Sequence, residues 1–325
     1  MRKRWIALGA VVAAAAGLFV VNASVFAHPT GKLTILAHRG VHQRFSNVGL
    51  SDTDCTATRI ETPTTSFLEN TIPSMRAAFA AGADRVELDV HPTTDGDFAV
   101  FHDWTVDCRT NGHDVTRDQP MSTLRTLDIG YGYTADGGRT FPFRGQGVGL
   151  MPSLRDVLAA FPSQGFVINF KSSDPTEGER IVTYLEATPE AHVERLAFWG
   201  DEPADRVHAL RPAWRVASHV SMKACAKGYL ATGWTGAVPQ GCRHTILFAP
   251  ANYAWLAWGW PNRFLARMQS VDTEVYVAAP VRRGEHPGIG GLDDATAFNA
   301  NVPPDWRGGV STDAIEIIGP LAKPR

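Results

Sequence analysis

The chain has 325 residues, 44% of them hydrophobic and 20% charged, and a formal charge of −2. That is enough chain for one substantial core or two modest ones, with the make-up of an ordinary globular protein, neither disordered nor fibrous. A near-neutral balance with no long basic run downstream gives no electrostatic case for nucleic acid as a partner.

Residues 1–27 stand apart. Arg2, Lys3 and Arg4 precede an uncharged apolar run from Trp5 to Val21, and a short stretch with small residues leads to Ala27. This is the pattern of an export signal cut after Ala27, and the run is also long enough to be an uncleaved single-span anchor. Both readings export residues 28–325. Their destination is the periplasm, the extracellular space or, for an anchored chain, the outer face of the inner membrane. Cys55, Cys108, Cys225 and Cys242 fit such an oxidising compartment. Closeness in sequence favours the pair Cys225–Cys242, which leaves Cys55–Cys108. The absence of a close Cys-x-x-Cys spacing argues against zinc.

From residue 33 strands and helices alternate. Leu33-Thr34-Ile35-Leu36-Ala37 reads as a short buried strand running into His38-Arg39-Gly40. The polar stretch 41–68 is long for a loop in a compact domain, so it is expected to wall or cover a site, or to be disordered. Asn70 or Thr71 caps a helix that has Pro73 in its first turn and Gly82 at its end. In the strand 84–91, Glu87 and Asp89 share one face while Val86, Leu88 and Val90 share the other. Asp95-Gly96 turns the chain back into a short strand ending at His102. The stretch from there to Gly149 reads as surface loops and one short helix. Further strands are expected at 166–170, 195–199, 214–217, 245–249, 274–279 and 309–312, with helical segments between them. Eight alternations point to a (βα)8 barrel, the last strand returning beside the first. An open doubly wound sheet is the alternative, weakened because no G-x-G-x-x-G loop follows the first strand.

In a barrel, chemistry sits at the C-terminal ends of strands. The unusual polar residues fall there: His38 and Arg39, Glu87 and Asp89, Asn169 and Lys171, Asp313, and His102 after the hairpin. Two carboxylates on an otherwise apolar strand need a compensating cation. That is either a hard divalent metal or a buried salt bridge to Arg85 or His91. A lone histidine is more often structural, but several such groups converging on one rim argue for a site. A metal polarises an anionic oxygen, Arg39 and Lys171 suit phosphate, and two imidazoles exchange protons near neutral pH. Together they describe cleavage of a phosphodiester.

The series His38-Arg39-Gly40, Glu69-Asn70-Thr71, Glu87-Leu88-Asp89-Val90, Thr94-Asp95-Gly96 and His102-Asp103 resembles the glycerophosphodiester phosphodiesterases. Pro152-Ser153-Leu154 and the closing Thr312-Asp313 add to the likeness, which is dense over 33–108 and thinner beyond. The resemblance implies a TIM barrel with a long insertion after the first strand and a divalent metal, calcium or magnesium. It implies hydrolysis of a small-molecule glycerophosphodiester to glycerol 3-phosphate and an alcohol, with a lysophospholipid as the other substrate option. It assigns His38 and His102 to acid–base work, Arg39 and Lys171 to phosphate, and Glu87, Asp89 and Asn169 to the metal. Glu69 is then expected near the metal or phosphate, with Asn70 orienting it.

Two departures matter. Asn169 replaces the third metal carboxylate of the family; it offers an oxygen without a charge, so weaker metal binding or a different ion is expected. At the end of the seventh parallel strand, Ala278-Ala279-Pro280-Val281 replaces a Trp-Thr-rich segment, which leaves substrate choice open. A lipid-headgroup phosphodiesterase of the sphingomyelinase D type and a non-catalytic phosphate- or lipid-binding barrel are the alternatives. Tyr253, Trp255, Trp258 and Trp260 are expected at the barrel mouth, packing a loop against helices or meeting a membrane. His42 and His113 have no site role, and His91 is expected to hydrogen-bond within the strand layer.

Overall fold

A computed structural model describes residues 2–46, 49–51, 54–282 and 290–322. The described strands are β1 Thr34–His38, β2 Arg85–Pro92, β3 Phe98–Val100, β4 Gly165–Phe170, β5 Leu196–Gly200, β6 Arg215–Ser218, β7 Ile246–Pro250, β8 Glu274–Ala278 and β9 Gly309–Thr312. All except β3 lie parallel in the order β6-β5-β4-β2-β1-β9-β8-β7, and β3 pairs back onto β2 as a hairpin arm. At the remaining seam the Val216 N–H donates to His244 O at 3.0 Å. The result is a nearly closed TIM barrel. The eight expected parallel strands are all present, their edges moved by no more than two residues.

The helices are α1 Arg2–Asn22, α2 Ile72–Ala81, α3 Met121–Leu124, α4 Leu154–Ala160, α5 Thr176–Glu186, α6 Glu202–Leu210, α7 His219–Thr232, α8 Asn262–Gln269, α9 Ala295–Asn301 and α10 Ile315–Ala322. Caps fix several of them. Thr71 Oγ1 accepts from the Ser74 N–H at 3.2 Å to start α2, and Ser153 with Asp156 forms a reciprocal box at α4. Neither α9 nor α10 had been expected: with seven and eight residues, and Pro320 inside α10, they carry too little helical periodicity to read.

Strand alternation divides the core. Val86, Leu88 and Val90 face outward into the helix layer and are fully buried. Leu36, Val167, Ala197, Ala217, Ile246 and Tyr276 fill the barrel interior. At the N-terminal end of the barrel Glu274 gathers Arg85 Nη2 at 2.8 Å, Arg215 Nη1 at 3.2 Å and the Tyr276 hydroxyl at 2.7 Å. Arg85 is therefore the counter-charge of Glu274 and not of Glu87.

The segments around 55–68 and 99–151 are more than surface loops. Ala57, Ile60, Phe101, Val106, Leu124 and Met151 form a second apolar core between them, so burial, not exposure, organises this insertion. Cys55–Cys108 joins the two segments, and Cys225–Cys242 ties α7 to the turn before β7, which is the expected pairing.

The aromatic run spans the height of the barrel: the Tyr253 N–H donates to Pro250 O at the mouth end of β7, and Trp255 Nε1 donates to Asn252 O. Trp258 Nε1 donates to Leu230 O near the end of α7 at 2.9 Å. The Trp260 ring lies 5.1 Å from that of Trp306, whose Nε1 donates to Gly309 O at the start of β9. The run thus descends the outer wall.

Candidate active site

The mouth is built on tight backbone. Arg39 and Asn70 take positive φ values of 55° and 59°, a conformation that non-glycine residues adopt at local cost and that surrounding hydrogen bonds must hold. The Arg39 N–H donates to Glu87 O at 3.0 Å, and the Asn70 N–H donates to Arg39 O at 3.1 Å. Gly40 follows with φ 81°, and a Cβ there would fall 2.2 Å from Ser74 Oγ. Only glycine fits this turn.

The carboxylate pair lies inside that frame. Asp89 is fully buried and Glu87 nearly so. Asn70 Nδ2 donates to Asp89 Oδ2 at 2.8 Å, and Asn70 Oδ1 accepts from the Asp89 N–H at 3.1 Å. Asn70 therefore orients Asp89 and not Glu69, because its side chain is turned toward β2 by the left-handed backbone. Asn169 Nδ2 donates to Glu87 Oε1 at 2.9 Å and to Asp89 Oδ1 at 3.1 Å, and Lys171 Nζ lies 3.5 Å from Asp89 Oδ1. Burial and the neighbouring Asp89 push the Glu87 carboxyl up to about 7. Burial opposes ionisation of Asp89 too, but Lys171 and Arg39 hold it well below the usual carboxylate range. The charge of the pair thus resides on Asp89.

The two imidazoles flank this pair in unlike surroundings. His38 Nδ1 meets Asp313 Oδ1 at 2.5 Å, while Nε2 accepts from Arg39 Nε at 3.1 Å and lies 3.7 Å from Glu87 Oε2. Burial and Arg39 act to lower its pKa; Asp313 and Glu87 outweigh them and raise it. His102 Nδ1 meets Asp103 Oδ1 at 2.8 Å. Burial, Arg39 and Lys171 push this imidazole down to about 4. One ring favours holding a proton and the other favours releasing it.

A buried arginine links the His102 side to the carboxylate side. Arg109 Nε and Nη2 donate to Asp103 at 3.0 and 3.1 Å, Nη1 lies 2.9 Å from Glu69 Oε2, and Nη2 donates to Thr56 Oγ1 at 2.9 Å. Glu69 in turn accepts from Arg39 Nη1 at 3.0 Å, and Arg39 Nε lies 3.3 Å from Asp89 Oδ2. Burial raises the Glu69 pKa, but Arg109 and Arg39 bring it down to about 2.

All nine residues expected at the site from the sequence, His38, Arg39, Glu69, Asn70, Glu87, Asp89, His102, Asn169 and Lys171, thus meet at one end of the barrel. Sequence reasoning missed three others. Arg109 carries no motif legible in isolation. Asp293 accepts from the Asp313 N–H at 2.6 Å and arrives from a segment far along the chain. His42 is buried beside His38, its ring 6.0 Å away, and the ligand-type atoms of His38, His42 and Asp313 lie within 4.8 Å of one another. The four-residue spacing of His38 and His42 was visible but means little off a helix. His91 faces His102 O at 3.3 Å, as expected of a residue in the strand layer, and burial first of all lowers it to about 4, so it is no counter-charge for the pair.

The residues present fit a hard cation. Glu87 Oε2 is buried without a hydrogen-bond partner and borders a second carboxylate, the usual donor set for an oxygen-preferring ion. Asn169 presents Nδ2 to both carboxylates, so lending its oxygen requires the amide plane to turn over.

Fold and mouth together define a TIM barrel with a buried carboxylate pair beside the imidazoles of His38 and His102. Residues 38–198 match the profile of the Glycerophosphoryl diester phosphodiesterase family. It is 34% identical over 103 residues to a glycerophosphodiester phosphodiesterase of Caldanaerobacter subterraneus subsp. tengcongensis, a match covering 32% of this chain and 39% of the relative. The chain thus spans about two fifths of the length of the curated relatives it matches. The fold is similar to the glycerophosphoryl diester phosphodiesterase domain of a Mycobacterium tuberculosis protein, with a TM-score of 0.61, 15% identity and coverage of 89% and 99% of the two chains. It is also similar to an Oleispira antarctica phosphodiesterase solved with the product sn-glycerol-3-phosphate (TM-score 0.52, 17% identity, coverage 89% and 96%).

Proposed function

We propose that the protein is a metal-dependent phosphoric diester hydrolase that converts glycerophosphodiesters to glycerol 3-phosphate and an alcohol. The observation that carries this reading is the buried pair Glu87–Asp89, with one carboxylate oxygen lacking a hydrogen bond, beside two imidazoles each held at Nδ1 by its own carboxylate, His38 by Asp313 and His102 by Asp103.

Glu87, Asp89 and the amide oxygen of Asn169 would hold the ion, calcium or magnesium. When bound, the ion supplies charge neutralisation and polarisation of a phosphoryl oxygen. Lys171, partly exposed beside Asp89, supplies a point charge for the phosphate. Arg39 is more deeply committed: its fork is engaged with Glu69 and Asp89, so it positions the carboxylates as well as meeting the anion.

His102, neutral near pH 7, removes a proton from the attacking oxygen. Asp103 accepts from its Nδ1–H, which leaves Nε2 free to take that proton. His38, more readily protonated, returns a proton from Nε2 to the leaving alcohol oxygen, with Asp313 holding its Nδ1 side; Nε2 takes on that proton once Arg39 Nε, which it accepts from here, turns to the phosphate. The apolar helix α1 and two disulfides fit an exported protein.

The deciding experiment is release of glycerol 3-phosphate from a panel of glycerophosphodiesters with and without chelator. Turnover that disappears with chelator and returns with calcium or magnesium supports the reading. No turnover with any diester, together with unchanged binding of glycerol 3-phosphate, favours the non-catalytic barrel.

A further inference from the structure

The base of α1 is built into the barrel. Arg267 is buried on α8 and donates from Nη2 to Val21 O at 3.0 Å and from Nη1 to Asn22 Oδ1 at 3.2 Å. The same Nη1 reaches Gly233 O and the Tyr229 hydroxyl, both at 2.9 Å, so helix base and barrel share one guanidinium. Asn22 Nδ2 donates to Trp234 O at 2.8 Å, and the Asn262 N–H donates to Ser24 Oγ at 2.9 Å. A chain cut after Ala27 would lose all of these contacts except those within the barrel.

The surface around that base is apolar. Val25, Phe26, Leu230, Trp234 and Trp258 are each between 37% and 71% exposed. Lys227 is exposed one turn before Leu230 on the same side of α7. Above this collar, Trp5–Asn22 is 18 residues long and apolar enough to cross a membrane, with none of it buried and its described barrel bonds confined to Val21 and Asn22 at the base. An apolar helix exposed above its base, a ring of aromatic side chains at its foot and a lysine beyond them form the sequence of groups met on passing from hydrocarbon to headgroups.

The collar also has a fixed place relative to the mouth. Residues 233–235 follow α7 and precede β7, and Thr30, bonded to Gln269 on α8, precedes β1. Both positions are at the N-terminal ends of the strands, opposite His38 and Glu87.

From these observations we infer that α1 is a retained anchor and that the collar at its foot seats in the bilayer, with anionic lipid as its partner. The mouth then points away from that membrane. Given the hydrolase reading above, the substrate is a water-soluble, deacylated diester arriving from the aqueous phase and not a phospholipid of the anchoring bilayer.

The test uses the full chain carrying Trp5→Phe, reconstituted into vesicles of equal zwitterionic and anionic lipid with brominated acyl chains. Tryptophan emission should be quenched relative to unbrominated vesicles, and the further double change Trp234→Phe/Trp258→Phe should remove most of that quenching. Quenching that persists unchanged in the double variant overturns the collar. The mass of the membrane-extracted chain should include residues before Ala27; recovery of a chain beginning at His28 overturns the anchor. In the same vesicles a soluble glycerophosphodiester should be hydrolysed while the vesicle's own phospholipid stays intact, and cleavage of that phospholipid overturns the orientation. Quenching without any turnover would leave the anchor standing and refute the hydrolase reading alone.

Discussion

The two halves of the barrel use the same alternating strand geometry for different ends. On β1, β2 and β4 the inward positions near the mouth are His38, Glu87, Asp89 and Asn169, and the insertion around 99–151 adds a second apolar core behind them. On β5 to β8 the corresponding inward positions are Trp199, Ala217, Phe248 and Ala278, and the charged Glu274 lies at the opposite end with Arg85 and Arg215. The first half is polar where it is dry, and it is held by paired charges. The second half is apolar where it is dry. The family match over 38–198 covers the first half and stops in β5. Chemistry in this barrel is therefore a property of one wall, with the other wall closing the scaffold.

The sharpest way to break that contrast is to remove the imidazoles. His38→Ala and His102→Ala should each lower kcat by about 10²–10⁴-fold, with thermal unfolding little changed. Loss of folding in place of loss of turnover would make these rings structural. Next in size is Arg109→Met, which takes from the buried Glu69 and Asp103 their shared counter-charge and leaves Arg39 alone on the one and His102 alone on the other. It should cost about 3–5 kcal/mol in chemical denaturation and reduce turnover as well, since both imidazole and carboxylate sides lose their common tie.

The pH profile refines the assignment of the two rings. With His102 lowered to about 4, its basic form persists well below the ordinary imidazole range. At saturating metal, which keeps Glu87 ionised, kcat/KM should therefore hold up in mildly acidic solution and fall only as pH approaches that value, whereas at limiting metal Glu87, pushed up to about 7, takes up its proton first. On the alkaline side activity should decline as His38 loses its proton, at a pH above the ordinary imidazole value. Asp103→Asn removes a group that raises the His102 pKa, so the acid limb should move further down while kcat drops. An acid limb that moves upward would contradict the hydrogen-bonded geometry.

Smaller effects come last. Asn169→Glu adds a charge beside Glu87 and Asp89 and should lower the metal concentration giving half-maximal activity; no change on titration would remove Asn169 from the ion's surroundings. In the other half, Tyr276→Phe deletes one hydrogen bond to Glu274 and should cost about 1 kcal/mol of stability while leaving the pH profile untouched.

The order of the eight parallel strands and most of the helices between them, the face-sharing of Glu87 with Asp89 and the cap of α2 were legible from residues alone. Each rests on contacts between residues near in sequence, where period and cap chemistry decide. The disulfide pairing was also readable, because four cysteines leave few options and one pair is close in sequence. The aromatic run packs against neighbouring elements, as expected of such rings, but strand count says only that its loop begins at the end of β7 and not that it travels down to Leu230 and Trp306. Asn70 was assigned to the wrong carboxylate for a related reason: its left-handed backbone turns the amide toward β2, and φ is not written in the sequence.

By itself, then, the amino-acid order determined the barrel and the set of side chains at its rim, since alternation and strand ends are local rules. Only the folded chain decided how those side chains share charge. Arg109 reaching to Glu69, Asp313 settling on His38, and Arg85 going to Glu274 are contacts between residues distant in sequence. In a dry interior the nearest counter-charge sets which carboxylate ionises and which imidazole keeps its proton. That proximity exists only after the sheet has closed.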